Sequence, residues 1–346
     1  MKNRIDYISK KKIRFPITKG LEKYLIEFDR IHEVDLVYDD LNHYNSSVPL
    51  LDKNGKDTLW ESLLFSDVYS KELAEKMITV YALLKAGGDS LIKANIKLDR
   101  IDFCTYGNTK PFRIKITNKL NDNYDYFYIK KIDSSRIYGL ELEHILSPSR
   151  INYFIKGNTI IEEHIAGIPG DQFIQDYLNL KTTNKVRVAK EFVKFNERCF
   201  VRLLGDMRSY NYVFNITPDF DNEQYRIKAI DFDQQNYEGK RILYLPQFIK
   251  ENTPIVKLCM KLLTKENVMQ YQLEERSLMK RRAKSSSKRL GYLFKSLVEE
   301  KLSNTLKINQ LENELNIYFK TEMYSDSKGM GEILRRHLNH ILGTEL

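Results

Sequence analysis

The stretch VRLLGDMRSYNYVFN, residues 201–215, decides how the rest of the chain is interpreted. It places an acid at Asp206 and an amide five residues later, at Asn211. The segment IDFD follows at residues 230–233, and a run of alternating apolar residues before it predicts a strand that ends at Asp231. Because a hairpin between Asn211 and Asp231 would bring two oxygen-bearing side chains together, the pattern predicts a metal-dependent phosphoryl-transfer site.

The composition is that of a globular protein with a basic surface. The 346 residues exceed one average domain, and 42% are hydrophobic and 30% charged, which excludes a disordered chain. No run approaches the roughly 18 apolar residues of a membrane span, so we expect a cytoplasmic protein that does not bind membranes. The net charge of +9 favours an anionic partner: a nucleotide, a nucleic acid or an acidic protein surface.

Hydrophobic periodicity divides the chain into three parts. Residues 1–98 are predicted to form a mainly helical extension. Residues 99–166 contain five short runs of β-branched and aromatic residues, typical of strands, with a helix over 134–146 between the third and the fourth. Residues 167–346 are predicted to be mainly helical, interrupted by the hairpin that precedes Asp231.

The residue types suit the chemistry of phosphoryl transfer, which requires fixed phosphates, neutralised charge and an oriented acceptor hydroxyl. Asp206, on a loop after a helix, can accept the proton of that hydroxyl. Arg208 can neutralise charge on the transferred group, or it can pair with a nearby carboxylate. Asn211 and Asp231 offer oxygen atoms to a hard cation.

The order of these motifs resembles that of the protein-kinase-like superfamily, and within it the atypical branch that includes aminoglycoside and choline phosphotransferases. LLGDMRSYNYVF, residues 203–214, is similar to the catalytic loop, which implies that Asp206 is the catalytic base and Asn211 a metal ligand. IDFD is similar to the metal-binding motif, which implies that Asp231 is the principal Mg²⁺ ligand. Asp233 stands where ordinary protein kinases have glycine, a departure that the small-molecule kinases share.

The amino-terminal half carries a further match. FYIKK, residues 127–131, is similar to the third-strand lysine motif. The resemblance implies that Lys130 contacts the nucleotide phosphates, with Lys131 as the alternative if the strand register slips by one. The helix that follows offers Glu141 or Glu143 as the ion-pair partner of this lysine, and the sequence does not choose between them.

Two more segments complete the resemblance. TIIEEHIAGIPG, residues 159–170, is similar to the strand and hinge that hold adenine, which implies that backbone groups of Glu163, His164 and Ile165 face the base. YGNTK, residues 106–110, occupies the position of the glycine-rich loop.

In that loop Gly107 and Asn108 are the candidates for covering the phosphates. A plain hairpin turn explains the same residues equally well. The resemblance as a whole covers about residues 100–240.

The resemblance implies an α+β, two-lobed kinase-like fold with a five-stranded antiparallel amino-terminal lobe, a helical carboxy-terminal lobe and a helical extension. It implies a phosphotransferase that uses ATP and Mg²⁺ and moves the γ-phosphoryl group to a hydroxyl of a small molecule or a protein Ser or Thr. One alternative is a catalytically silent module that binds a nucleotide or a partner protein. Another is a nucleic-acid-binding protein that uses the basic run at residues 280–289. The complete set of Lys130, Asp206, Asn211 and Asp231 favours the enzyme.

Overall fold

The computed structural model describes residues 12–52, 54–105, 109–219 and 222–345. The strands are β1 (Ser46–Leu51), β2 (Asp57–Leu64), β3 (Ile96–Cys104), β4 (Phe112–Asn118), β5 (Tyr124–Lys131), β6 (Tyr153–Lys156), β7 (Thr159–Glu163), β8 (Ile168–Pro169), β9 (Tyr212–Asp219) and β10 (Asn222–Ala229). The helices are α1 (Lys19–Glu27), α2 (Asp67–Ala86), α3 (Ser90–Ala94), α4 (Ser134–Leu146), α5 (Gly170–Gln172), α6 (Lys185–Arg202), α7 (Thr253–Leu262), α8 (Lys265–Ser285), α9 (Ser287–Leu297), α10 (Thr305–Phe319) and α11 (Met330–Leu342). Within the described ranges, no helix combines the length and the apolarity needed to cross a membrane.

A seven-stranded antiparallel sheet forms the first part of the molecule, in the order β1-β2-β3-β4-β5-β7-β6. The α+β class is therefore confirmed, but the predicted count of five strands is not, because this sheet has seven. The two additional strands, β1 and β2, come from the segment that was predicted to be mainly helical. Both are largely exposed, so their sequences lack the alternation of apolar and polar residues that marks a half-buried strand.

An apolar stripe of α2 packs against this sheet. Leu73, Met77, Val80 and Leu84 share one core cluster with residues of the sheet. The sheet residues in this cluster include Ile101, Ile114, Phe127 and Ile161. Helix α2 is thus joined to the first sheet by a common core, whereas Leu21, Tyr24 and Leu25 of α1 belong to the other core cluster.

Helix α4 is the central element between the sheet and the later helices. It spans the predicted residues and is buried on all sides, with only His144 half-buried among its 13 residues. Its apolar residues belong to the second core cluster, together with residues of α6, α8 and α9. A helix buried on every side has no solvent-facing stripe, so each of its charged residues requires a partner inside the protein.

The predicted hairpin is confirmed: β9 and β10 pair along their whole length, with Tyr212 opposite Ala229. The short strand β8 adds to β9 and is flanked by Gly167 and Gly170. A Cβ atom on Gly170 would lie 2.2 Å from Cε2 of Tyr212 and 2.4 Å from the carbonyl oxygen of Ser209. Glycine is therefore required for the chain to dock directly on the loop that precedes β9.

We predict that Gly170→Ala lowers the free energy of unfolding by about 1–3 kcal/mol, because backbone and ring atoms must move to admit the methyl group. Gly291→Ala is the matched control, because a Cβ atom there meets nothing within 4 Å on helix α9. That change is expected to stabilise the protein by about 1 kcal/mol through helix propensity. Urea denaturation measures both, and equal effects of the two changes would contradict the docking described here.

Candidate active site

A buried guanidinium group joins the sheet to the segment that follows β10. Arg136, on α4, is 2% exposed. It donates through Nε and Nη2 to the two carboxylate oxygens of Glu162 on β7, with Nη2 2.6 Å from Oε2. Its Nη1 donates to Oδ1 of Asp231 at 2.9 Å and to Oδ1 of Asp233 at 3.0 Å. One side chain thus connects α4, β7 and the IDFD segment.

Lys130 belongs to the same cluster. Its Nζ lies 2.9 Å from Oε2 of Glu162, on the neighbouring strand β7. Burial lowers the pKa of Lys130, and the charge of Arg136 lowers it further, whereas Glu162 opposes both. Burial would raise the pKa of Glu162, but the charges of Arg136 and Lys130 outweigh it and hold that pKa at about 2.

The side chain of Lys131 points to the other face of β5, as strand alternation requires. Its Nζ lies 4.8 Å from the ring centre of Tyr38 and 3.8 Å from Oδ1 of Asp39. Among the two lysines of the FYIKK motif, Lys130 is therefore the one that lies in the charged cluster.

Neither glutamate proposed as the partner of this lysine contacts it, and Glu162 takes that place. Glu141 lies about 140° around the α4 axis from Arg136, where Arg30 and Arg289 bind it at 2.8 and 2.6 Å. Glu143 lies about 10 Å further along the axis from Arg136 and pairs with Arg202 at the end of α6. The spacing in the sequence did not reveal which face of α4 meets the strand.

The loop after α6 holds Asp206 in a strained conformation. Helix α6 ends at Arg202, and both Leu203, which follows it, and Asp206 have left-handed backbones, with φ of 51° and 56°. The amide group of Asn211 donates to the carbonyl oxygen of Asp206 at 2.7 Å. The backbone N–H of Ile230 donates to the carbonyl oxygen of Asn211 at 3.0 Å, which places the loop beside the IDFD segment. Such strain persists only where the surrounding contacts enforce it.

The carboxylate of Asp206 has an unusual protonation equilibrium. Burial raises its pKa to about 6, and the negative charge of Asp231 acts in the same direction. Arg208 opposes this shift by donating from Nε to Oδ1 of Asp206 at 2.8 Å. Arg208 also pairs with Glu251 at 2.9 Å. Arg208 therefore pairs with two carboxylates, one of which belongs to the candidate base Asp206. Its position suits both roles given by the sequence, as a partner for a carboxylate and as a neutralising charge beside the transferred group.

The oxygen atoms near Asp231 suit a hard divalent cation. Oδ1 of Asp231 accepts from Arg136 and from the backbone N–H of Asp233, and Oδ2 has no hydrogen bond within the described residues. Asn211 uses its amide nitrogen on Asp206, which leaves its amide oxygen for a ligand. Two such oxygens fit Mg²⁺, which usually keeps several waters and shares the phosphates of its substrate. In the described ranges, no group of three or more His, Cys, Asp or Glu residues is arranged to hold a metal by itself.

Two of the three backbone N–H groups predicted to face adenine form hydrogen bonds within the protein. The backbone N–H of Glu163 donates to Asn152 and that of His164 to Tyr126, at 2.9 and 3.3 Å. Within the described residues, the N–H of Ile165 has no such partner. Of the three residues predicted to face adenine, Ile165 is thus the one whose backbone N–H is available to a ligand. Gly107 and Asn108, the candidates for covering the phosphates, lie outside the described residues.

Comparisons with known proteins supply little beyond this geometry. No protein-family profile and no curated protein matches the chain. Among solved structures it is similar to the autoinhibited serine kinase domain of the giant muscle protein titin, with 14% identity, 70% of this chain and 92% of that chain covered, and a TM-score of 0.27. It is also similar to titin kinase with its flanking domains, with 12% identity, 70% and 54% covered, and a TM-score of 0.24. TM-scores this low do not carry a functional argument, which therefore depends on the contacts of this chain.

Arg136 and Glu162 are the site residues that sequence reasoning missed. The available signal was an acid within the apolar run TIIEE of β7, because a buried carboxylate requires a cationic partner. The identity of that partner depends on the rotation of α4, which local periodicity does not determine for a helix buried on every side.

We predict that Glu162→Gln lowers the free energy of unfolding at pH 7 by about 3–5 kcal/mol, because it leaves two buried cations without their shared carboxylate. The parent carries this stabilisation above the ordinary glutamate pKa of 4.5 and loses it as the pH falls towards 2. The variant should therefore lose less stability over that interval, as measured by chemical denaturation. Glu72→Gln, which removes an exposed pair with Lys76, is the control with little expected change. Identical acid profiles for parent and Glu162→Gln would contradict this assignment.

Proposed function

We propose that this chain is a phosphotransferase with a kinase-like arrangement, which uses ATP and Mg²⁺ and acts on a hydroxyl group. The observation that carries the proposal is the convergence of Lys130, Asp206, Asn211 and Asp231 around one charged cluster. Lys130 connects to Asp231 through Glu162 and Arg136, and Asp206 connects to the same segment through Asn211. These residues come from β5, the loop after α6 and the segment after β10, so chance proximity in sequence does not explain their grouping.

The nucleotide is proposed to lie between a lobe of residues 99–166 and a lobe of residues 167–346, the type of cleft where ligands commonly bind. The elements β1, β2 and α2, which precede residue 99, extend the sheet of the first lobe and its core. The N–H of Ile165 is the group available to the base. Lys130 and Arg136 supply positive charge at the cluster, where the phosphates would bind.

Each residue then has a role in the transfer. The acceptor oxygen attacks the γ-phosphorus, the bond from this phosphorus to the bridging oxygen breaks, ADP departs, and the hydroxyl proton passes to Asp206. Asn211 and Asp231 would hold Mg²⁺, which neutralises phosphate charge when bound. Arg208 lies close enough to Asp206 to stabilise negative charge beside the base. With a pKa near 6, Asp206 is largely unprotonated at neutral pH while keeping more basicity than an ordinary aspartate.

The acceptor is a small hydroxylated molecule or a protein Ser or Thr. Asp233, which stands where ordinary protein kinases have glycine, favours a small-molecule acceptor, as in the branch that includes aminoglycoside and choline phosphotransferases. In this chain, Oδ1 of Asp233 also binds Arg136, which gives it a second role in fixing α4.

A second candidate function is a catalytically silent module that binds a nucleotide. The observation that favours it is the contact of Nη1 of Arg136 with both Asp231 and Asp233, which places a fixed cation beside Asp231, the acid proposed for Mg²⁺. Such a module would bind ATP without a divalent cation and would not turn it over. The enzyme instead requires that the second oxygen of Asp231 bind the metal.

We predict that the protein transfers the γ-phosphoryl group of labelled ATP to an acceptor in a mixture of hydroxylated small molecules and proteins, or hydrolyses ATP slowly. Asp206→Asn and Asp231→Asn should each lower kcat/KM by at least about 100-fold. Asparagine is chosen because it tolerates the left-handed backbone of Asp206 better than alanine. Asp122→Asn, at an exposed turn with the same backbone conformation, is the matched control and should leave activity unchanged. Turnover that persists in both site variants, or no ATP binding at millimolar concentration, would contradict the proposal.

We also predict that kcat/KM rises with pH along a limb with an apparent pKa of about 6, because protonated Asp206 cannot accept the hydroxyl proton. Initial rates between pH 5 and about 8 at saturating Mg²⁺ measure this limb. The residual activity of Asp206→Asn should lack it. A limb that is preserved in the variant would assign the titration to another group.

A further inference from the structure

A second, strongly basic cavity of about 410 Å³ lies where α6, β10 and α8 meet. None of the residues proposed for phosphoryl transfer lines it. Six basic side chains line this cavity, against three acidic ones: Arg187, Lys190, Lys194, Arg198, Arg226 and Arg282. We propose that it binds a compact anion that bears phosphate groups. This inference does not depend on the proposed function.

Two of the three acids are already used inside the protein. Arg198 is 4% exposed and binds Glu191 at 2.7 Å and Glu275 at 3.5 Å. Glu191 also accepts from the backbone N–H of Ile227, and Arg198 donates to the carbonyl oxygen of Ile227. Both carboxylates are thus already engaged: Glu191 and Glu275 bind buried Arg198, and Glu275 also lies 3.9 Å from Arg282.

The remaining basic groups are unevenly neutralised: Lys190 and Lys194 pair with Glu274 at 3.8 and 2.9 Å, whereas the guanidinium groups of Arg226 and Arg282 are less well paired. Arg226, on β10, is exposed, and its guanidinium group makes no hydrogen bond or ion pair with the residues that the structure describes. Arg282, on α8, lies 3.9 Å from Oε1 of Glu275, a carboxylate that Arg198 shares. Burial lowers the pKa of Arg282; the charge of Glu275 opposes this shift, and the charges of Arg198 and Arg226 add to it. Guanidinium groups therefore repel one another here, and a bound anion would relieve that repulsion.

The geometry favours a compact phosphate-bearing ligand over a nucleic acid. The cavity falls in the range of about 300–1,000 Å³ found for small-molecule sites, and its cations converge from three elements. A nucleic acid is bound instead along an extended basic track. The basic run at 280–289 does not form such a track, because Arg282 enters the cavity and Arg289 pairs with buried Glu141. Planar guanidinium groups match phosphate oxygens in pairs, which favours phosphate over a simple halide.

The test is isothermal titration of the full chain with inorganic tripolyphosphate at constant ionic strength, with chloride as the competing ion. We expect saturable binding, and the double variant Arg226→Gln/Arg282→Gln should raise Kd at least tenfold. Arg281→Gln, the exposed neighbour on the same helix that does not line the cavity, should change Kd less than twofold. Unchanged thermal stability of the double variant shows that it is folded; if its stability falls, Lys190→Gln supplies the same comparison.

Three results would overturn the inference. One is the absence of saturable binding to the parent at millimolar tripolyphosphate. Another is an equal loss of affinity in the Arg281→Gln control. The third is a single-stranded oligonucleotide that binds more tightly than tripolyphosphate and is weakened equally in every variant, which would indicate general polyanion attraction by the surface.

Discussion

The burial of the Arg136 guanidinium is the constraint on which the rest of the site depends. A charge buried this deeply is tolerated only when carboxylates and good hydrogen-bond geometry compensate its lost hydration. Glu162, Asp231 and Asp233 provide that compensation. Glu162 lies on β7, and the two aspartates lie in the segment that follows β10. Gly139 makes the close approach feasible, because a Cβ atom there would lie 2.8 Å from Cβ of Phe232. The position of α4, and with it the distance between the two sides of the site, follows from these contacts.

The same contacts set the electrostatics that the proposed chemistry uses. Glu162 is held ionised by two cations, so it keeps Lys130 and Arg136 in place as fixed positive charges. Asp206 shows the opposite behaviour, because burial and the charge of Asp231 favour its protonated form. A left-handed backbone and a carboxylate with a raised pKa both cost stability, and local destabilisation of this type is characteristic of functional sites. The charged cluster thus holds its side chains in fixed positions, and the strained loop beside it supplies the more basic carboxylate of Asp206.

Much of this architecture could be predicted from local sequence patterns, and the failures have physical causes. Strands β3 to β7, helix α4 and the β9–β10 hairpin carry clear periodicity and turn signals, so their existence and order were predicted. Strands β1 and β2 were missed because both are largely exposed and have no apolar face to reveal them. The partner of Lys130 was assigned to Glu141 or Glu143 because the rotation of a fully buried helix is set by tertiary contacts. The basic cavity is assembled from α6, β10 and α8, so no single stretch of sequence indicates it.

We propose that Asp231 and Asn211 bind a metal ion beside a nucleotide whose phosphates meet Lys130. A crystal structure of the protein with a non-hydrolysable ATP analogue and Mn²⁺ tests this arrangement, because the anomalous signal of manganese locates the ion. We expect one anomalous peak bonded to Oδ2 of Asp231 and to the amide oxygen of Asn211, with a phosphate oxygen within hydrogen-bonding distance of Nζ of Lys130. A nucleotide bound elsewhere, or bound here without a manganese peak while Arg136 keeps both aspartates, would contradict it.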